Sequence, residues 1–208
     1  MKSNTYKLIE FFIIFILIPI SFALDYSPFI KLGVGFVGFL YVIYLLLKVE
    51  QKQFKVAKGL NWKQFWRETL IKLAIIAVLT TLFVWFTDNA RLFEVLLNKP
   101  LLWLTILFVY SVFSVYPQEL TYRTLFFERY AVLFQSTSFA IVLNAVVFSL
   151  AHIMFKSTLV LVLTFLGGLL FALTYTKTKS TLLVSIEHAI YGSWLFTVGM
   201  GTMLGFPS

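Results

Sequence analysis

Apolar residues in this chain come in long blocks separated by short polar segments, with none of the strict alternation that marks half-buried strands. A helix rises 1.5 Å per residue, so about 20 apolar residues cross a hydrocarbon core of about 30 Å. Seven blocks approach that length: Leu8–Leu24, Phe29–Leu47, Thr69–Phe86, Leu101–Tyr116, Phe139–Phe155, Leu159–Tyr175 and Leu182–Thr197. The pattern predicts an all-α, polytopic transmembrane helix bundle of about seven spans. The fourth block runs on to Arg129, and Pro117 is expected to kink it or begin a new segment there. Gly33, Gly35 and Gly38 give the second block a small-residue face suited to close helix contact. The first block has the basic start and small-residue end of a signal peptide, but among so many apolar blocks it reads as a retained span.

The polar segments orient these spans. Lys48, Lys52, Lys55, Lys58, Lys63 and Arg67 gather between the second and third blocks, interleaved with Trp62, Phe65 and Trp66. Residues 48–67 therefore read as an amphipathic helix on the cytoplasmic surface. Lys2 and Lys7, and Lys177 and Lys179, fall on the same side, while 88–99 has balanced charge and suits the outer face. The expected topology is a multi-pass protein of the cell (inner) membrane with a cytoplasmic N-terminus. Composition agrees. The chain is 60% hydrophobic and 12% charged, against about 45–50% and about 25% in soluble domains. That leaves one integral membrane domain, 1–208, with N-terminal spans and the basic loop in 1–99 and the polar motifs in 100–200. The net charge of +8 is accounted for by topology and anionic lipid, and nucleic acid is not an expected partner. Absence of cysteine excludes disulfides, thiolate chemistry and palmitoylation. No internal repeat of the kind common in transporters is visible.

Three polar clusters interrupt the apolar background of the second half: Gln118, Glu119 and Arg123; His152 in Phe148–His152; and Glu187-His188 within Ser185–Gly192. An ionisable side chain at membrane depth costs several kcal/mol unless it is paired or faces water. At helical rise, Glu119 lies about 15 Å from Arg129 and His188 about 14 Å from Lys179, so both fall near the midplane. His152 would sit about 20 Å from Ser138, too far outward unless its helix is tilted or interrupted. Singly, each cluster has a structural explanation: Glu119 and Arg123 have the spacing of a helical ion pair, and a membrane histidine can be a packing residue. Together, Glu, Arg and the chain's two histidines on three successive helices suit acid–base hydrolysis. There is no His-Glu-x-x-His helix, no Gly-x-Ser-x-Gly elbow and no membrane aspartate pair, since both aspartates lie in loops.

The order Gln118-Glu119-Leu-Thr-Tyr-Arg123, Phe148-Ser-Leu-Ala-His152, His188-Ala-Ile-Tyr-Gly192 resembles the motif set of the CPBP family, the CAAX prenyl proteases and bacteriocin-processing or abortive-infection proteins. The family pattern is Glu-Glu-x-x-x-Arg, Phe-x-x-x-His and His-x-x-x-Asn/Asp. The resemblance implies an intramembrane endopeptidase in which Glu119, His152 and His188 activate water against a peptide bond. Gln118, Arg123, Phe148, Glu187, Tyr191 and Gly192 would support the site. It implies as partner a membrane-anchored, prenylated or leader-peptide substrate within the lipid bilayer. It leaves open a divalent metal, zinc, held by His152, His188 and Glu119, beside a general base without metal. Two positions depart from the family. Gln118 replaces the first glutamate, and an amide cannot act as a base; Gly192 replaces the Asn or Asp that would steady the oxyanion, a task left to Gln118 or Tyr191. Glu119, assisted by Glu187, would then be the base of an active variant. The alternative is a catalytically inactive relative acting as a membrane binding, immunity or chaperone-like protein. A transporter or proton relay would need a continuous polar path that the outer halves of the spans lack.

Overall fold

The computed structural model describes residues 3–52 and 59–204, except the side chains of 203 and 204. The expected all-helical architecture is present. Six helical segments are long and apolar enough to cross a membrane: α1 (Asn4–Phe22), α2 (Pro28–Val49), α3 (Trp62–Thr87), α4 (Pro100–Leu133), α5 (Thr137–Phe155, whose α-helical part ends at Leu150) and α6 (Thr158–Thr178). A seventh helix, α7 (Thr181–Val198), carries the third polar cluster. Starts follow local chemistry. Asn61, Ser136 and Ser157 each accept a hydrogen bond from a backbone N–H three residues on, and Pro28 and Pro100 occupy first turns, where no N–H is needed.

Prolines inside spans are accommodated by widening the helix. Pro19 follows a π-helical stretch, Ile13–Leu17, and Pro117 follows another, Tyr110–Val115. A proline ring collides with the carbonyl four residues earlier, here that of Phe15 or Phe113, and a π turn relieves the collision. The expectation at Pro117 thus takes a specific form: α4 continues through it, with a short α segment at Tyr116–Glu119 and a second π stretch over Leu120–Tyr130.

The chain divides into two compact units, Met1–Val56 with Pro117–Thr181, and Ala57–Tyr116 with Leu182–Ser208. The first holds α1, α2, the second half of α4, α5 and α6. Its core is aromatic: Phe15, Phe126, Tyr130 and Phe148 are buried, and Phe15 meets Tyr122, Phe126 and Tyr130 edge to face. A charged knot lies beside it. Glu10 pairs with Arg129 and accepts hydrogen bonds from Tyr41 (2.7 Å) and Tyr130 (2.8 Å), while Arg129 also reaches Glu50 at 2.5 Å. The α5 and α6 backbones touch at Gly168, where an added Cβ would come within 2.9 Å of the Ala145 Cα. The second unit holds α3, the first half of α4 and α7, with a core of Ile106, Tyr110, Val115 and Phe196.

Two expectations change. The 48–67 segment is no separate surface helix where it is described: α2 extends to Val49, and Trp62 to Arg67 are the opening turns of α3, with Phe65 buried. Lys55 and Lys58 lie outside the described residues, as does Lys2. Gly33, Gly35 and Gly38 make no close contact, since a Cβ on any of them would meet nothing within 4 Å; the close approach falls at Gly168. The 88–99 loop holds two short helices, Asn89–Arg91 and Glu94–Asn98.

Candidate functional site

In the first unit, four of the motif residues are stacked in sequence. Glu119 and Arg123 are both fully buried, with Oε2 of Glu119 3.4 Å from Nε of Arg123. The Arg123 guanidinium lies over the Phe148 ring at 4.5 Å and near Phe171 at 5.6 Å. A cation desolvated against two aromatic faces gains about 2 kcal/mol. Phe148 then meets the His152 ring, centroids 4.9 Å apart. The Phe-x-x-x-His spacing thus has a physical purpose: the phenyl ring is the spacer between the arginine of one motif and the histidine of the next.

His152 lies where its helix ends. The α-helical part of α5 stops at Leu150, and a turn leads into a 3-10 segment, Ile153–Phe155. Nδ1 of His152 lies 2.8 Å from the Phe148 carbonyl. A carbonyl can only accept, so Nδ1 carries the proton and Nε2 the lone pair of the neutral ring. The end of the helix creates this bond, because Phe148 is among the last residues whose carbonyls lose their helical partner.

Gln118 takes a different position. It is half-buried and lines a cavity of about 520 Å³ with Pro117, Thr121, Tyr122 and residues of α1 and α2 that include Gly35 and Gly38. Glu119 and His152 are not among the residues lining it.

In the second unit, α7 presents Glu187, His188, Tyr191 and Gly192, all buried. Glu187 pairs with Lys72 of α3. The Tyr191 hydroxyl lies 3.0 Å from Oε1 of Glu187 and 3.2 Å from the Thr69 carbonyl, so its single proton has two acceptors in place. Through these bonds Tyr191 anchors α7 to α3. His188 meets the Tyr110 ring edge to face, centroids 6.0 Å apart.

Sequence reasoning missed Lys72, Glu10 and Tyr110. The first two left a signal, since a lone charge inside an apolar block demands a partner. Tyr110 left none. Among the described residues no three His, Asp or Glu side chains are grouped as ligands of one metal ion.

Residues 100–194 match the family model described as Type II CAAX prenyl endopeptidase Rce1-like. That interval contains all three motifs. No curated protein and no solved structure matches.

Proposed function

Because residues 100–194 place this chain in the Rce1-like family of type II CAAX prenyl endopeptidases, we propose that this multi-pass membrane protein is an intramembrane endopeptidase. Its substrate would be a peptide held at the membrane by a lipid or a hydrophobic anchor. The observation that carries the reading is the stacked series Glu119, Arg123, Phe148, His152, which ends on a histidine with a defined tautomer. Buried charge of this kind is costly to assemble, and packing alone would be served as well by apolar residues.

In the proposed reaction, Nε2 of His152 accepts a proton from a water molecule whose oxygen attacks the scissile carbonyl carbon. The C–O bond forms as the carbonyl π pair moves onto oxygen. On collapse the C–N bond breaks, and the amine leaves with a proton delivered by histidine; His188 is the second acid–base group. Glu119, with Arg123, is a positioning carboxylate rather than the base, since it is fully buried and paired with Arg123, which itself stacks on Phe148. This choice also relieves the difficulty at Gln118, because no carboxylate is then needed there. We place the N-terminus and the basic segment on the cytoplasmic side of the cell membrane, with cleavage near that face.

The test is cleavage of a membrane-anchored, internally quenched peptide by the full chain in proteoliposomes. His152→Ala and His188→Ala should each abolish turnover in protein that still inserts. Glu119→Gln should reduce turnover through kcat while leaving some activity. Full activity in His152→Ala would refute the assignment, and complete loss in Glu119→Gln would return the base to Glu119. Wild-type protein that cleaves nothing, while its histidine variants keep the biological phenotype, would establish an inactive binding protein instead.

A further inference from the structure

A buried asparagine in the middle of α5 calls for a reason, since asparagine is a poor helix former and a buried amide needs partners. Asn144 is fully buried, and its side-chain amide donates to the Tyr122 carbonyl of α4. A carbonyl can only accept, so Nδ2 faces Tyr122, and Oδ1 on the other side has no hydrogen-bond partner among the described residues. A leucine would pack without that orphaned acceptor, so the bond to Tyr122 has to offset it. Tyr122 immediately precedes Arg123 and lies in the π-helical stretch Leu120–Tyr130, a departure from regular helix that recurs at functional sites. Nη1 of Arg123 donates to the same carbonyl at 3.3 Å, so side-chain donors from two helices meet on one oxygen. Phe148 comes one turn after Asn144 on the same face of α5. Its ring meets the Tyr122 ring at 5.4 Å and carries the Arg123 guanidinium at 4.5 Å. Asn144 thus grips the backbone next to Arg123 from the helix that supplies the ring beneath it.

We infer that Asn144 is a positioning residue of the hydrolytic site. By holding the Tyr122 carbonyl it sets the register of α5 against α4, which keeps the Arg123 guanidinium over Phe148 and Phe148 against His152. The inference rests on the peptidase reading and adds a residue that none of the three motifs contains. Asn144 transfers no proton and touches no substrate; it acts through Arg123. A polar side chain can also join two membrane helices simply as glue. Glue would hold α4 to α5 whatever stands at position 123, whereas a positioning role depends on the planar guanidinium that Phe148 carries.

The test is a double-variant cycle in the full chain in proteoliposomes, read as kcat and KM on the membrane-anchored quenched peptide. Labelling of a thiol at the buried position 147, introduced as Val147→Cys, reports opening of the same unit. Asn144→Leu keeps the bulk and removes the donor. It should lower kcat by about tenfold, since a small misplacement near a reacting centre costs up to about 10²-fold, with KM within about twofold and labelling within about threefold of the parent. In the Arg123→Lys background the same change should lower the residual kcat by less than about twofold, because the stacking it supports is already gone. Parental kcat in Asn144→Leu, or an equal tenfold loss in both backgrounds, would overturn the inference and leave the peptidase reading intact. Labelling that accelerates in step with the loss of kcat would make Asn144 a packing contact and overturn it too. A wild-type protein without cleavage would overturn both.

Discussion

Glu10→Ala should loosen the first unit far more than an ordinary surface change. Glu10 is 6% exposed and accepts from Arg129, Tyr41 and Tyr130 at once. Arg129 is 1% exposed, and without Glu10 its remaining carboxylate is Glu50. Removing one member of a buried ion pair costs about 3–5 kcal/mol, chiefly because the other charge stays buried. Glu50 keeps part of the compensation, so the lower end, about 3 kcal/mol, is the expected loss. Absence of cysteine makes a clean assay available. Val147 of α5 is fully buried, and Val147→Cys introduces a single thiol whose labelling by a membrane-permeant reagent reports opening of that unit. At about 1.4 kcal/mol per tenfold, Glu10→Ala should raise the labelling rate about 10²-fold. Replacing both partners, Glu10→Leu with Arg129→Met, should recover part of that loss, since the fully buried guanidinium is removed with its carboxylate while the partly exposed Glu50 stays. Labelling within about threefold of the parent would refute the assignment of the pair as a structural clasp.

Lys72→Met should destabilise the second unit by about 3 kcal/mol by stranding Glu187, read by the fluorescence of the five tryptophans, all of which lie in that unit; an unchanged thermal midpoint would contradict the pairing. Gly168→Val should separate the α5 and α6 backbones and accelerate labelling of the same Val147→Cys thiol, whereas Gly35→Ala, with open space around its Cβ, should change little. Arg123→Lys should lower turnover by more than tenfold, because an ammonium does not stack on Phe148 as a planar guanidinium does; cleavage at the parental rate would show that the stacking has no part in the site.

Much of the architecture is legible in the order of residues alone. Seven helical segments, the irregularity at Pro117 and the Glu119–Arg123 pair all follow from local rules: every backbone group in lipid must be satisfied within its own helix, a proline disturbs the helix before it, and residues four apart share a face. The interruption at His152 is foreshadowed by its depth. Glu10 and Lys72 stand out as charges in need of partners, although nothing nearby in the chain names Arg129 or Glu187.

The sequence by itself determined which segments are long and apolar enough to span a membrane, where the basic residues cluster, and that a carboxylate, a guanidinium and two imidazoles interrupt the apolar blocks. Hydropathy and helical spacing carry that information, because both act over a few turns. Tertiary structure decided what those groups touch. Phe148 is the spacer between Arg123 and His152, the Tyr191 hydroxyl anchors α7 to α3, and Tyr110 fills the space beside the glycine at 192. Tyr110 and Gly192 are distant in sequence and share no periodic signature. Only the packing of one helix against another places a phenol where a side chain is missing.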